Sequence, residues 1–144
     1  MKILIAAMLV LVVLIATVAY APVASERNSP RDRINHDQIS VWRDSVNILM
    51  SDVSTAIVSD TNSMDPTLDE GSTLLLVKPQ DKSDILEGDI ITFYRDGRLI
   101  VHRVLQLGAD EEGWYAVTRG DNNPADDGRI RWKDVDRVVA GILY

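Results

Sequence analysis

The sequence predicts a mainly β domain, a compact barrel or sandwich carrying one amphipathic helix, preceded by an N-terminal transmembrane helix. Three observations carry this expectation: an uncharged run at the amino terminus, an apolar stripe at helical spacing over residues 39–53, and six short strand-like runs beyond it, punctuated by glycine. A chain of 144 residues has room for one domain of ordinary size. Its net charge of -7 comes from 17 Asp and 5 Glu against 11 Arg and 4 Lys. That balance disfavours a nucleic-acid partner, because phosphate binding needs a basic footprint. With no cysteine, disulfides, thiolate zinc sites and a cysteine nucleophile are excluded together.

Residues 1–25 form the first segment. Ile3 to Ala24 is 22 residues without a charged side chain, long enough at ~1.5 Å per residue to span a hydrocarbon layer of roughly 30 Å. A cleaved secretory signal is the alternative, since Ala19-Tyr20-Ala21 has the small-x-small form. Pro22 directly after Ala21 speaks against cleavage there, leaving Val23-Ala24-Ser25 as another site. Arg27, Arg31 and Arg33 follow the run while Lys2 precedes it, so positive-inside counting favours a cytoplasmic domain. Residues 26–36 are polar, contain Pro30 and show no apolar period, which reads as a tether. The folded body is expected over 37–144. Asn35 with Gln38 resembles a capping box, and Ile39, Trp42, Val46, Leu49 and Val53 step along one face of a helix. Strands are expected over Thr55–Val58, Thr73–Val77, Asp89–Tyr94, Leu99–Leu107, Trp114–Thr118 and Val135–Leu143, with Asp96-Gly97 as a hairpin turn.

Ser63 follows a predicted strand and precedes Pro66, whose fixed φ favours a defined turn. A serine there can project its hydroxyl beside its own backbone N–H, and Thr61 can add a second donor aimed at an oxyanion. The plainer alternative is a pair of ordinary turn residues. A serine hydroxyl needs a base, and the chain has two histidines. His102 alternates with Ile100 and Val104 on an apolar strand, the setting of a packed core residue but also of an imidazole kept neutral as a general base. His36 lies beside Asp37 in the polar stretch without such a setting. Lys78, before Pro79, is a further candidate base. Asp121, Asp126 and Asp127 occupy a loop that reads either as a solvated acidic turn or as a source of the carboxylate that orients the imidazole. Its spacing does not fit an EF-hand, and no metal or cofactor is expected.

Taken in order, Ser63-Met64-x-Pro66-Thr67-Leu68, Gly88-Asp89-Ile90-Ile91, Ile100-Val101-His102-Arg103-Val104 and Thr118-Arg119-Gly120-Asp121-Asn122-Asn123 with Asp127 resemble a type I signal peptidase. The resemblance is to the archaeal and endoplasmic-reticulum branch, in which histidine replaces the bacterial lysine base. It implies a signal-peptidase-like β domain, a membrane-anchored serine endopeptidase that cuts secretory precursors after small residues. It assigns Ser63 as nucleophile, His102 as general base, Asp127 and Asp121 as the aspartates of the site, and Ser63 with Thr61 as the oxyanion hole. Implied partners are secretory preproteins, the lipid bilayer and a neighbouring translocon. The implied place is a single-pass membrane protein with its domain on the extracytoplasmic side, against the arginine count. Arg119 departs from the family's usual lysine. Two other readings compete: a catalytically silent membrane-anchored module of the same fold, which a serine-directed probe would leave unmodified, and a repressor-like self-cleaving peptidase, which uses lysine and a soluble DNA-binding partner domain.

Overall fold

The computed structural model describes residues 28–144. The anchor expected over 1–25 lies outside the described residues, among which no helix is long and apolar enough to cross a membrane. The described residues form β1 (Ile39–Trp42), β2 (Ser45–Ile48), β3 (Val53–Ile57), β4 (Thr73–Val77), β5 (Ile90–Arg95), β6 (Arg98–Asp110), β7 (Gly113–Arg119), β8 (Arg129–Arg131) and β9 (Val135–Leu143). Short 3-10 turns fall at His36–Gln38, Lys82–Asp84 and Trp132–Asp134. β1 and β2 make a separate ribbon; the other seven strands form one antiparallel sheet in the order β3-β4-β9-β5-β6-β7-β8.

All six strands expected from the sequence are present, differing at most at their ends. Asp96 and Gly97 join β5 to β6 with φ of 51° and 73°, the pair of positive values that a two-residue turn needs to match the strand twist. β8 had no sequence signal, because three residues are too few to show alternation.

Two expectations are corrected. The helix over 39–53 is not formed: the chain makes the His36–Gln38 turn, the β1–β2 ribbon and the start of β3. Ile39 and Val46 of the helical stripe also belong to a set with period two, together with Val41 and Ile48: Ile39 lies opposite Ile48 and Val41 opposite Val46. Their β-branched side chains favour the strand. Gln38 closes the ribbon, its backbone accepting from Leu49 N at 2.9 Å and its amide donating to Leu49 O at 2.8 Å. Nor is the sheet a closed barrel, since β3 and β8 stand at its two edges. Instead, both faces are covered. Ile91, Phe93, Val104, Ala116 and Val138 pack on one side, and Met64, Leu68, Leu74, Leu76, Ile90 and Val139 on the other. The neighbours Ile90 and Ile91, like Val138 and Val139, point into opposite clusters, as the pleat requires.

The described part of the polar stretch lies against the body. Asp89, fully buried, accepts from Arg31 N at 2.8 Å, Arg33 Nη2 at 2.6 Å and Leu86 N at 2.9 Å. Gly88 has φ of 97°, and a Cβ there would meet Ser29 O at 2.5 Å. Glycine thus meets both a left-handed backbone and a close chain crossing. Removing Arg33 leaves the Asp89 carboxylate buried without its countercharge. Arg33→Ala is therefore expected to cost about 3–5 kcal/mol in denaturant unfolding of the full chain in detergent. The double change Arg33→Met with Asp89→Asn should cost clearly less, and equal losses would contradict this account.

Candidate active site

The Ser63 turn is held from both sides. Asn62 takes a left-handed φ of 56°, a conformation asparagine tolerates better than most residues, and reverses the chain just before the serine. Met64 and Leu68, 2% and 1% exposed, anchor the turn in the core, with Leu68 N donating to Met64 O at 3.0 Å. Across from it, Asn122 N donates to Ser63 O and Asn122 Nδ2 to Asn62 O, each at 3.0 Å. Asp121 N contacts Met64 Sδ at 3.4 Å. Gly120 permits this approach, for a Cβ there would press on Ser63 O and lie 2.8 Å from Asn123 Nδ2.

His102 stands on β6 opposite Ile91 and is 6% exposed, its ring edge-on to Phe93 with centroids 6.2 Å apart. Its Nε2 lies 3.3 Å from Ser63 Oγ and its Nδ1 lies 2.7 Å from Asp127 Oδ2. Asp127 returns to β7 after the acidic loop: its N–H donates to Thr118 O at 2.7 Å, and Thr118 Oγ1 donates to Oδ2, also at 2.7 Å. Burial pushes the Asp127 carboxyl up, but hydrogen bonds from His102 and Thr118, with the charge of Arg95 adding to them, outweigh it and leave the group below its ordinary value. Asp127 is then ionised at neutral pH. Nδ1 of His102 carries the proton toward it, and Nε2 is left to accept from Ser63.

Thr61 Oγ1 lies 3.2 Å from Ser63 Oγ and accepts from Ser63 N at 3.5 Å, so the two groups expected to hold an oxyanion are neighbours, with the Ser63 N–H turned onto the threonine oxygen. Asp121 takes a different place from Asp127. Arg103 donates to both its oxygens, Nε to Oδ1 at 2.8 Å and Nη2 to Oδ2 at 2.7 Å, and Thr67 Oγ1 donates to Oδ2 at 2.6 Å. It thereby ties β6 to the turn that carries Ser63. The other candidates lie apart: His36 is in the 3-10 turn before the ribbon and Lys78 is exposed after β4. Thr118, Gly120, Asn122 and Arg103 have parts in this geometry that residue type alone does not announce. Their signal was their presence inside the same motifs as His102 and Asp121.

Ser63 and His102 open onto a groove of about 390 Å³, walled by residues 56–59 at the end of β3 and just beyond it, and by residues 98–101 of β6. Among the described residues, both walls offer unpaired backbone: β3 is the sheet edge, bonded only to β4. β6 pairs with β5 over Arg98–Arg103 but with β7 only from Arg103 onward, so its first half has one free side in the sheet.

A serine, a histidine and an aspartate linked in that order, on an antiparallel sheet with two free edges beside them, have the layout of serine peptidases. No family model matches the chain. Among curated proteins it is 33% identical over 105 residues to the signal peptidase complex catalytic subunit SEC11 of Yarrowia lipolytica, covering 68% of this chain and 60% of that protein. It is 30% identical over 109 residues to the corresponding subunit of Dictyostelium discoideum, covering 70% and 59%. Signal peptidase I W of Bacillus subtilis is 34% identical over 68 residues, covering 46% and 36%. The chain thus spans less than two thirds of the length of these relatives. It belongs to the type I signal peptidase family, on the branch of the eukaryotic complex catalytic subunits.

The close crossing at Gly120 generates a test. In Gly120→Ala the new methyl group presses on Ser63 O and on the Asn123 side chain, so the Ser63 turn must shift. A displacement near 1 Å is expected to slow acylation of Ser63 by a serine-directed probe about 10²-fold, with an unchanged far-ultraviolet circular dichroism spectrum. An unaltered acylation rate would show that the crossing does not position the serine.

Proposed function

We propose that this chain is a membrane-anchored serine endopeptidase that removes signal peptides from secretory precursors, cutting after small residues on the extracytoplasmic side of the membrane. The observation that carries this reading is the hydrogen-bonded order Ser63, His102, Asp127 at the mouth of a groove with two free strand edges. The relatives are named as signal peptidase catalytic subunits or signal peptidase I, which supports the same substrate class. The membrane anchor is proposed from the sequence of Ile3–Ala24 alone.

An extended precursor segment enters between the two edges, adding a strand whose main-chain hydrogen bonds set its register. Apolar groove residues such as Ile57, Leu74 and Leu99 leave room for small side chains at the cut. His102 Nε2 takes the Ser63 proton as Oγ bonds to the scissile carbonyl carbon. Negative charge gathers on the carbonyl oxygen, where Ser63 N–H and the Thr61 hydroxyl donate to it. The 3.3 Å between Nε2 and Oγ is long for such a bond, as in many serine enzymes before substrate tightens the site. Collapse of the tetrahedral species breaks the C–N bond, and His102 returns the proton to the leaving amine. Water, deprotonated by the same nitrogen, then hydrolyses the acyl-enzyme and regenerates Ser63. Asp127 holds the ring and stabilises the imidazolium at each proton transfer. Asp121 acts through Arg103 and Thr67 and braces the turn.

Ser63→Ala is expected to abolish cleavage of a model precursor in proteoliposomes while the protein still unfolds cooperatively. A cleaving Ser63→Ala variant would end the proposal. The pH dependence has a definite sign. Asp127 must be ionised to hold the His102 ring, so its protonation lowers cleavage on acidification; because its carboxyl is held below the ordinary carboxylate value, that loss is expected only below the ordinary carboxylate range. A kcat/KM profile in which the loss from Asp127 sets in above that range would contradict this account.

A further inference from the structure

The groove beside Ser63 is uneven in charge. Most of its wall is apolar, with Ala56, Ile57, Leu74 and Val101 among the contributors, or carries hydroxyl groups. Among the described residues that line it there is no carboxylate, and apart from His102 the one ionisable side chain is Arg98. Arg98 is exposed and makes no hydrogen bond or ion pair among the described residues. Arg103, further along the same strand, is by contrast held at both ends of its fork by Asp121. A free cation in a groove is the more notable in a chain of net charge -7, which otherwise repels acidic ligands.

Strand geometry fixes where this cation stands. The register of β6 with β5 runs unbroken from Ile90↔Arg103 to Arg95↔Arg98, so Arg98, Ile100 and His102 fall on one face by alternation. Four steps along the strand put Arg98 about 13 Å from His102, at the end of the groove remote from the nucleophile. Directly across the hairpin stands a second cation, Arg95, with its guanidinium 5.8 Å from the centre of the Phe93 ring. Like charges facing one another across a ladder repel, and no ion pair among the described residues relieves them. The free edge of β6 ends at the same place. Over residues 98–102 the strand pairs with β5 on one side and with nothing in the sheet on the other. An extended segment laid along that edge therefore brings one of its side chains beside Arg98 as a cross-strand neighbour.

We propose that Arg98, backed by Arg95, forms a subsite for an acidic side chain of the precursor, an Asp or Glu about four residues on the N-terminal side of the cut. The inference rests on the peptidase reading, in which the small residues before the cut fill the groove; the residues ahead of them then run toward Arg98. A carboxylate at that end takes a charge-assisted hydrogen bond from the guanidinium and lies between two like charges. The pair is exposed, so its contribution is modest and falls with salt. Its effect is on selection and register. The pleat turns alternate side chains to opposite faces, so a carboxylate one position nearer to the cut, or one farther from it, points away from Arg98. The contact thereby favours one of two neighbouring small residues as the one presented to Ser63.

The test moves one charge on each side of the contact. A precursor peptide carries Gln at the third to the sixth positions before the cut, and Glu replaces each Gln in turn. The full chain in detergent is assayed for kcat/KM on every peptide. Glu at the fourth or the fifth position is expected to speed cleavage about fivefold over Gln, with little gain at the positions on either side and a smaller gain in high salt. Arg98→Gln should bring the ratio of the Glu to the Gln peptide down to about one. Arg98→Glu should invert the preference, so that a Lys peptide is cut faster than the Glu peptide. Each comparison is a ratio taken on one protein preparation, so a partly unfolded variant cannot imitate the result. Equal cleavage of Glu and Gln peptides by the unmutated chain overturns the subsite and leaves the peptidase reading standing. A gain of the same size at every position, or one that persists in Arg98→Glu, also overturns it, in favour of a diffuse field or another cation. If the unmutated chain cuts no peptide, the subsite and the peptidase reading fail together.

Discussion

The geometry of the site depends on one oxygen. Asp127 Oδ2 takes a hydrogen bond from Thr118 and pairs with His102 Nδ1, both at 2.7 Å. Because Thr118 lies on β7 and His102 on β6, that oxygen joins two strands and a returning loop at a point where the sheet stops pairing. It sets the proton on Nδ1, the ring nitrogen beside it, and turns Nε2, the far one, toward Ser63. A side-chain bond alone would be a loose hinge; the Asp127 N–H to Thr118 O bond of 2.7 Å makes it a fixed one. The carboxylate is partly buried, which costs free energy, and its donors offset that cost, as the lowered pKa records.

The same halt in pairing creates the groove. β6 is bonded on both sides only beyond Arg103, and β3 has no outer partner in the sheet. Open edges are hazards in soluble proteins because they invite pairing with another strand. Here they flank Ser63, and in the proposed function the hazard becomes a seat for an extended peptide. The fold bears this because its stability lies elsewhere, in the two clusters on either face of β5 and β9. Arg103 with Asp121, and Arg33 with Asp89, are buried ion pairs at the margins. Such pairs contribute little net stability but fix register strongly, the first holding the serine turn to β6 and the second holding the N-terminal stretch to the body.

Much of the site was legible in the sequence, because its chemistry restricts residue type. A chain without cysteine and with two histidines leaves few bases for Ser63, and His102 sits in an apolar strand that keeps it near the core. The aspartates could not be ranked the same way. Asp121 and Asp127 share one loop composition, and only the return of that loop onto Thr118 brings Asp127 to the ring while Arg103 engages Asp121. Of the fold, the long strands were readable from alternation and glycine. The ribbon was not, since Ile39, Trp42, Val46 and Leu49 follow a helical step while Ile39, Val41, Val46 and Ile48 alternate as strands do. β-Branching and the Gln38–Leu49 closure decide the matter, and the second is a tertiary fact. The open sheet was equally invisible, as edge pairing depends on which strands meet.

The central claim is that His102 activates Ser63. Its most direct measurement is chemical rescue: kcat/KM for a model precursor with His102→Ala, followed as free imidazole is added. The account predicts a loss on the order of 10³-fold or more, partly restored by imidazole with a pH dependence that follows its neutral form. A His102→Ala protein that cleaves at the original rate, with or without imidazole, would contradict it.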